Sequence, residues 1–525
     1  MSAPSPGAGR DFTELVDLAS ARLGGVVLAA NDDFFAEKEN LLKDEAPVWR
    51  ESEYTDRGKW MDGWETRRRR TPGHDWCLVR LGQPGVVRGV VVDTSYFRGN
   101  FPEACWLEGT VAPPDASAET LLADATEWQA LLPRVRLAGH TAHRFPVELP
   151  FRFTHLRFSI DPDGGVARLR VHGEVAPDPA RLIGAADGDP VSEPPCVDLA
   201  ALENGAAVVL ASDMFFGSRH HLILPGPSRG MHDGWETKRR RGPGHDWAIV
   251  RLAAHGAIER VIVDTSHFKG NAPGSCRIDV ADRAGAPLDD LAESDFPWRP
   301  LLPESALAPH DVHTFEDTVL PAGAATHARL RIDPDGGVAR LRLFGRVDDV
   351  GRRTLGLAHL NALVPREAER ALLACLGAPR WAHALAAARP FASEPALFEA
   401  AQALAAGLSE DDWRIAFAAH PRIGEARPSG PTHRPTALER HWSSHEQSAA
   451  ASGDAATRRA LADGNRAYEE RFGRVFLIAA QGKKPAEILA ALEERRHNDP
   501  AVEFRIATEE QMKITRQRLL RLLYA

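Results

Sequence analysis

DGWETRRRRTPGHDW, residues 62–76, occurs again as DGWETKRRRGPGHDW, residues 233–247, and thirteen of the fifteen positions are identical. An internal repeat of this kind determines the domain organisation before any finer pattern is considered. The spacing of 171 residues continues in VVVDTSYFRGN (90–100) and VIVDTSHFKGN (261–271). A unit of about 150 residues is too long for a solenoid repeat and has the size of a whole domain. The first two-thirds of the chain are therefore predicted to be one domain present twice.

Composition and the outer parts of the repeat set the domain boundaries. Upstream, VVLAANDDFF (26–35) matches VVLASDMFF (208–216), and downstream IDPDGGVARLRVHG (160–173) matches IDPDGGVARLRLFG (332–345). Pro, Gly, Ala and Asp dominate the region between the copies, which is typical of a linker. The predicted division is an N-terminal tail (1–19), the first copy (20–176), a linker (177–201), the second copy (202–348), a second linker (349–358) and a last domain (359–525).

Within each copy, short apolar or alternating runs are separated by Gly, Pro and Asp. In the first copy these runs are Trp76–Leu81, Val86–Val92, Phe151–Ile160 and Val166–Val171, and their lengths are those of strands. The stretch 161–165, DPDGG, predicts a hairpin turn, because glycine readily adopts positive φ. Helical periodicity is scarce before residue 350. Each copy is predicted to be an all-β, antiparallel sandwich of the jelly-roll type.

The last third has a different texture, because Ala, Leu, Glu and Arg, which favour helices, dominate it. Ser409 precedes an acidic first turn and is predicted to cap a helix. Asn498-Asp499-Pro500 ends one helix and begins another. Apolar residues recur every three or four positions in Ala368–Leu376, Glu394–Leu408, Ala437–Ala450, Thr457–Phe472, Pro485–Arg496 and Ala501–Leu523. An all-α domain is predicted to follow the two sandwiches.

The chain has 525 residues, with 64 Lys and Arg against 73 Asp and Glu, and a formal net charge of −9. This balance argues against nucleic acid or an anionic membrane as the main partner. No apolar run reaches the roughly 18 residues of a membrane helix, and no secretory signal is visible. The five cysteines are odd in number and far apart, which fits a reducing cytosol. We expect a soluble cytoplasmic protein.

Both copies of the repeated block combine arginines with groups that exchange protons. Guanidinium groups such as that of Arg67 bind carboxylates, and Glu, Asp and His transfer protons. A small anion with a carboxylate would suit this set. The alternative is structural, with Trp64 and Trp76 in the core and the arginines solvated along a strand. The candidate catalytic residues are Glu65, His74 and Asp75 in the first copy and Glu236, His245 and Asp246 in the second.

The DTxxFxGN motif follows a predicted strand in each copy, and loops at strand ends commonly carry function. Its alternative is a turn in which Asp and Asn bond the local backbone. A neighbouring pair such as His74 and Asp75 cannot readily chelate one metal ion, because adjacent strand residues point to opposite faces. The candidate binding residues of the motif are Asp93 and Asn100, repeated as Asp264 and Asn271.

The doubled sequence DGWETRRRR, GHDW and VDTSYFRGN closely resembles the allantoicase family, over about residues 15–348. The resemblance implies two jelly-roll sandwiches of the galactose-binding type that hydrolyse allantoate to (S)-ureidoglycolate and urea. It carries no established catalytic residue to this chain. We expect arginines to hold the allantoate carboxylate and an acidic residue or His to protonate the departing urea nitrogen. One copy or both could carry a site, and a divalent metal is left open.

In the last third, HPRIG (420–424), SSHEQ (443–447) and KITRQRL (513–519) concentrate the polar side chains. Pro421 prevents a helix from continuing past His420. A histidine at a helix C-terminus would have its charged form favoured. The alternative for such a histidine is a capping or surface position.

These segments, together with LNALVPREAERALLACLG and ERFGRVFLIAAQGK, resemble 2-oxo-4-hydroxy-4-carboxy-5-ureidoimidazoline (OHCU) decarboxylase, over about residues 359–525. The resemblance implies that His420 acts in acid–base chemistry, that Glu446 orients or protonates the substrate and that Arg518 binds an anionic group. It implies no cofactor, because the carbanion left by loss of CO2 is delocalised over the imidazoline. It also implies a substrate lining of Pro421, Ser443, Ser444, His445, Gln447, Phe476, Leu477, Ile478, Ala479 and Ala480.

Two features depart from the decarboxylase pattern. HPRIG stands where the family more often has HPDLAG, so Arg422, Ile423 and Gly424 change the chemistry of the loop. The segment between His420 and Glu446 is also longer than the family pattern.

Together the resemblances predict a cytoplasmic, homo-oligomeric, bifunctional enzyme of urate and allantoin breakdown that makes (S)-allantoin and cleaves allantoate. Its partners would be small ureides rather than nucleic acid or membrane. One alternative keeps the decarboxylase and makes the sandwiches noncatalytic ligand-binding modules. Another makes only one sandwich active. The copies do differ beside the DTxxFxGN motif, where Tyr96, Arg98 and Phe101 are replaced by His267, Lys269 and Ala272.

Overall fold

The computed structural model describes residues 11–184, 194–293, 295–420, 422 and 455–524. Its β-sheet part and its helical part are separate compact units. No helix in the described part of the chain is long and apolar enough to cross a membrane.

The first repeat consists of antiparallel strands with two short helices. Its strands are β1 (Val16–Asp17), β2 (Val26–Ala30), β3 (Tyr54–Thr55), β4 (Gly58–Lys59), β5 (Trp64–Glu65), β6 (Asp75–Asp93), β7 (Ala104–Thr110), β8 (Gln129–Arg136), β9 (Ala142–Pro146), β10 (Arg152–Asp161), β11 (Gly165–Val166) and β12 (Arg168–Val175), and its helices are α1 (Ala118–Leu122) and α2 (Ala180–Ile183). The main sheet has the order β1-β12-β6-β10-β7-β8, and β2 and β9 also pair with β6.

The 19-residue strand β6 joins the two halves of the sheet. Its first half pairs with β10 and β2, and its second half pairs with β12 and β9. The partners change around Gly82–Gly85, where a Cβ on Gly82 would lie 2.7 Å from the backbone nitrogen of Gly25. Only glycine permits such a close approach. The two runs predicted as separate strands are therefore one strand, whose change of partners produces the predicted sandwich.

The turn at residues 161–165 does not form the predicted hairpin. Gly164 has a φ of 138°, so glycine is needed there. However, β10 and β12, on either side of the turn, each pair with β6. The chain leaving the turn first forms β11, which pairs with β5. Turn chemistry predicts where a chain reverses, but long-range pairing decides which strand receives it.

The second repeat reproduces this topology without counterparts of β3 and β4. Its main sheet has the order β13-β22-β16-β20-β17-β18, with β14 and β19 paired to β16 and β15 paired to β21. These strands are β13 (Val197–Asp198), β14 (Ala207–Ala211), β15 (Trp235–Glu236), β16 (Asp246–Asp264), β17 (Ser275–Ala281), β18 (Arg299–Ala306), β19 (Val312–Phe315), β20 (Ala325–Asp333), β21 (Gly337–Val338) and β22 (Arg340–Val347), with the helix α3 (Leu288–Ala292).

The first strand of each repeat lies in a segment that was predicted as tail or linker. β1 pairs with β12, and β13 pairs with β22 in the same way. Asp17 fixes the first pairing, because its Oδ1 accepts from the Val171 N–H (2.8 Å), and Asp198 does so in the second through the Leu343 N–H (2.9 Å). Single aspartates at strand starts are too small a signal to be found from periodicity.

The helical part contains α4 (Asp349–Ala362), α5 (Pro365–Cys375), α6 (Pro379–Ala387), α7 (Glu394–Ala406), α8 (Glu410–Ala418), α9 (Ala455–Phe472), α10 (Pro485–Arg495) and α11 (Pro500–Tyr524). Residues 349–358, predicted as a linker, belong to α4, whose Leu357 and Leu360 are buried. Ser409 caps α8 through a capping box with Asp412, as predicted. The predicted helix Ala437–Ala450 lies outside the described residues.

Candidate active sites

The repeated motifs of the first repeat meet in one place. β5 carries Glu65 and pairs with β11. The Gly165 N–H donates to the carbonyl of Asn100 (2.7 Å). The side-chain amide of Asn100 donates to Oε1 of Glu65 (2.7 Å). Two candidate residues from different motifs are therefore in direct contact.

A cavity of about 370 Å³ includes this Glu65–Asn100 pair. Its volume falls in the range of roughly 300–1,000 Å³ that is typical of small-molecule sites. The lining combines aromatic rings, two cations and one carboxyl group. It consists of Phe35, Trp49, Gly58, Lys59, Met61, Glu65, Tyr96, Arg98, Gly99 and Asn100.

The Glu65 carboxyl group is placed to transfer protons. Burial raises its pKa above the ordinary value, and the hydrogen bond from Asn100 offsets only part of this effect. The backbone of Glu65 is fixed, because its N–H donates to the Ala36 carbonyl (3.1 Å). A carboxyl group with a raised pKa in a cavity is suited to general acid catalysis.

The two cations in the cavity wall have different surroundings. The Lys59 ammonium donates to the backbone carbonyls of Arg50 (2.5 Å) and Glu51 (2.6 Å) and lies over the Trp49 ring at 4.7 Å. Lys59 therefore stabilises the β3–β4 hairpin. Arg98 is exposed, and no described side chain or carbonyl pairs with its guanidinium. Arg98 is the cation that can bind an incoming carboxylate.

Tyr96 holds a strained conformation in the cavity wall. Its φ is 71°, a region that costs a non-glycine residue about 1–3 kcal/mol. The Tyr96 N–H donates to Nδ1 of His140 (2.8 Å), and its ring stacks on Trp49 with the centroids 5.8 Å apart. His267 has the same conformation in the second repeat, with a φ of 72°, and its N–H donates to Nδ1 of His310 (2.7 Å). Strain of this kind often accompanies functional sites.

The other candidates of the first repeat lie apart from the cavity lining. Arg67 is exposed and paired with Asp32 (3.1 Å). Asp75 is buried and bound to Arg69 (2.6 Å). Asp93 accepts from the Ser95 N–H (2.8 Å), which is the local turn considered as its alternative.

His74 lines a separate depression of about 510 Å³, and its ring centroid lies 4.5 Å from that of Trp106. His74 precedes β6, which begins at Asp75, and the two side chains have different surroundings.

The second repeat keeps the carboxyl–amide pair, but the segment that lies over the pair is different. The Asn271 amide donates to Oε1 of Glu236 (2.5 Å). The segment between the buried Ile223 and Asp233 is ten residues shorter than its counterpart in the first repeat. Trp49, Gly58 and Lys59 therefore have no equivalents there. Phe215 and Phe216 are 70% and 62% exposed.

Two remaining candidates of the second repeat make the same structural contacts as their counterparts in the first repeat. Asp246 pairs with Arg240 and accepts from the hydroxyl of Ser212 (3.0 Å). Asp264 accepts from the Ser266 N–H (2.7 Å). His245 is exposed, although partial burial and the charge of Arg331 lower its pKa.

Metal ligation was left open by the sequence. Among the residues that the structure describes, no group of three or more His, Cys, Asp or Glu side chains could hold a metal ion.

In the helical part, His420 follows α8 and is buried. Burial and the positive charge of Arg518 lower its pKa well below the ordinary value. The expectation that the helix end favours charged His420 is therefore wrong, because these two effects exceed the influence of a helix C-terminus. Arg518 is also buried on α11, and its Nη1 donates to the Ala374 carbonyl (3.3 Å).

The predicted lining segment, residues 476–480, is held at two points from the neighbouring helices. Arg495 donates to the Leu477 carbonyl (2.8 Å) and to the fully buried carboxylate of Glu503 (2.7 Å). Glu510 accepts from the Ala479 N–H (2.8 Å). The backbone of the segment is therefore fixed by α10 and α11.

Several predicted decarboxylase residues lie outside the described residues: Pro421, Ser443, Ser444, His445, Glu446 and Gln447. Arg422, one of the departures from the family pattern, makes a two-fold ion pair with Glu469 on α9 (2.7 Å for each bond). This ion pair anchors Arg422, the residue that follows the His420-Pro421 pair.

Sequence reasoning missed part of the cavity wall. Trp49 and Lys59 carry no motif, and Tyr96 and Arg98 were noted only as differences between the copies. The available signal was the ten-residue excess between Leu42 and Asp62, because an insertion beside a repeated motif commonly modifies a site.

Comparison with known proteins finds relatives for both parts of the chain. The allantoicase repeat model matches residues 16–176 and 197–348, and the OHCU decarboxylase model matches residues 361–520. A probable allantoicase of Burkholderia pseudomallei is 48% identical over 349 residues, which cover 66% of this chain and all of that one. The allantoicase of Dictyostelium discoideum is 45% identical over 339 residues, covering 64% of this chain and 89% of that one.

A crystal structure of allantoicase from Saccharomyces cerevisiae superposes with a TM-score of 0.51 at 32% identity, covering 63% of this chain and 93% of that chain. The fold and the two family matches thus define a bifunctional enzyme of ureide breakdown. The chain belongs to the allantoicase family and carries an OHCU decarboxylase domain after the two allantoicase repeats.

Proposed function

We propose that allantoate is cleaved in the cavity of the first repeat. The observation that carries this proposal is a half-buried carboxyl group with a raised pKa, Glu65, in a cavity that also contains Arg98. Arg98 binds the allantoate carboxylate, and Asn100 orients Glu65. Water adds to the carbon that bears the two ureido groups as one C–N bond breaks. Glu65 gives its proton to the departing urea nitrogen and regains one from the water.

The helical part decarboxylates OHCU around His420 and Arg518. Arg518 binds an anionic group of the substrate. His420 is neutral because its pKa is low, so its imidazole can accept a proton from the substrate and return one to the carbon that loses CO2. The two buried groups and the fixed segment 476–480 support this placement.

The pH dependence of urea release tests the role of Glu65. Because Glu65 acts in its protonated form, kcat/KM should fall as the pH rises through its raised pKa. Asn100→Leu removes the hydrogen bond that lowers this pKa, so the fall should move to higher pH. A profile without this limb, or one that Asn100→Leu does not shift, would contradict the assignment.

The decarboxylase assignment is tested with His420→Asn in the full chain. Formation of (S)-allantoin from OHCU should slow by about 10²-fold or more, the range of a lost acid–base group. Urea release from allantoate should stay within about twofold of the unaltered chain, because His420 is not part of that site. An unchanged rate of allantoin formation would remove His420 from the reaction.

We further propose that OHCU decarboxylation needs no cofactor, whereas a divalent metal is left open for the cleavage of allantoate. Urea release that survives treatment with a chelator would favour a metal-free site. Loss of release that a divalent ion restores would contradict a metal-free site and direct attention to the His and Asp pairs.

A homo-oligomer in the cytoplasm is also proposed. The exposed side chains of Phe215 and Phe216 support the homo-oligomer. The five cysteines support the cytoplasm, because all are free and only Cys196 of the five is exposed. Light scattering of the purified chain tests the oligomer.

A further inference from the structure

Gln511 is a fully buried polar residue on α11. It shares one face of the helix with Thr515 and Arg518, which follow it by four and seven positions. The charge of Arg518 acts on His420, so this end of the face lies beside His420. Glu510, the residue before Gln511, lies on a neighbouring face and holds Ala479 of the lining segment. Gln511 therefore lies along α11 between the two features of the decarboxylase site.

The orientation of the Gln511 amide follows from its bonds to Thr515. The Thr515 hydroxyl donates its single proton to the backbone carbonyl of Gln511 (2.9 Å). The hydroxyl oxygen can then only accept from the side chain of Gln511, whose Nε2 lies 3.4 Å away. Oε1 must consequently point away from Thr515.

This amide oxygen is buried and accepts no hydrogen bond from the residues described. Nε2 of His420 is buried and equally without a partner within that part of the chain. A buried polar atom without a partner is destabilising and therefore uncommon. One of these atoms belongs to the buried row of Gln511, Thr515 and Arg518, and the other belongs to His420, on which the charge of Arg518 acts. This is the arrangement expected where a ligand supplies the missing partners. The ureido group of OHCU carries N–H donors.

We propose that Gln511 is a substrate-binding residue of the decarboxylase, and this rests on the function proposed above. Its Oε1 accepts a hydrogen bond from a ureido N–H of OHCU, while Arg518 binds an anionic group. Thr515 is a positioning residue that keeps the amide in this orientation.

Gln511→Leu tests the proposal in the full chain. The KM for OHCU should rise about tenfold to a hundredfold, as expected for a lost hydrogen bond to a buried acceptor, with kcat changed only a few-fold. The melting temperature should stay equal or rise, because the variant removes an unsatisfied buried atom. A merely structural role predicts the opposite, a lower melting temperature. Thr515→Val, which frees the amide to turn, should raise KM by less.

The matched control is Gln402→Leu, at an exposed position of α7, which should leave all parameters unchanged. Urea release reports on the β-sheet part of each preparation, and the melting temperature reports on the helical part in the same samples. Turnover of OHCU by the unaltered chain is measured first, since its absence would refute the proposed decarboxylase and this inference together. An unchanged KM in Gln511→Leu beside normal turnover of the unaltered chain would refute the inference alone. Parallel losses of kcat and melting temperature would do the same.

Discussion

The two allantoicase repeats share the same sheet and the same core contacts, and they differ in the segment that lies over the Glu–Asn pair. In both, a buried tryptophan donates to a backbone carbonyl at 2.8 Å, Trp64 to Asp32 and Trp235 to Asp213. In both, an asparagine holds the glutamate of the DGWET sequence. Only the first repeat has the longer segment that adds the β3–β4 hairpin and completes a cavity. Repeated motifs can therefore be preserved for the fold, while the unrepeated residues beside them shape the cavity of the first repeat.

A second contrast concerns the aspartate that begins the DGWET sequence. Asp62 pairs with the buried Arg168 (2.8 Å) inside the first repeat. Asp233 pairs in the same way with Arg340 (2.9 Å), and it also receives Arg22 from the first repeat (2.9 Å). The corresponding loop of the second repeat is thus held by its neighbour rather than by an insertion.

Among the changes that test this comparison, removing the insertion should have the largest effect on urea release. Deleting residues 50–59 brings the first repeat to the length of the second and removes the hairpin wall. Urea release should fall by about 10²-fold or more, because a substrate that is no longer enclosed loses both positioning and exclusion of water. The assay is urea formation, and decarboxylation by the same chain serves as the control. Release above one-tenth of normal would show that the hairpin is dispensable.

Arg98 and Lys269 occupy equivalent positions and should behave differently. Arg98→Ala should raise the KM for allantoate about tenfold to a hundredfold, because a charge-assisted bond to the carboxylate contributes about 1.5–3 kcal/mol. Lys269→Ala should change it by less than about twofold, as expected for a residue outside the site. Steady-state kinetics on both variants decide between them, and equal effects would argue for two working sites.

The smallest expected difference between the repeats concerns a property that they share. Burial lowers the pKa of His155 and of His327 to about 4. Since these values lie below that of an unfolded histidine, the unfolded chain binds more protons, and stability is lost as the pH falls from about 6.5 towards 4. Each histidine accounts for at most about 3 kcal/mol. Thermal melts of His155→Gln and His327→Gln should show the same weakened acid dependence, and a difference between them would contradict equivalent cores.

Much of the architecture could be predicted from the sequence, because the same pattern of short strands occurs twice and each copy supports the prediction made for the other. The contact between Glu65 and Asn100 could not, since it depends on the pairing of β5 with β11. The charge state of His420 was mistaken because helix position is local, whereas burial and Arg518 belong to the tertiary structure. The cavity depends on residues without a motif, and only their excess length pointed to it.

The central claim is that the first repeat cleaves allantoate and the second supports it. Its most direct test compares Glu65→Gln with Glu236→Gln by the rate of urea release from saturating allantoate. The account predicts a fall of about 10²-fold or more for Glu65→Gln, as expected for a lost general acid, and a change of less than about threefold for Glu236→Gln. Equal losses in the two variants, or a larger loss for Glu236→Gln, would contradict it.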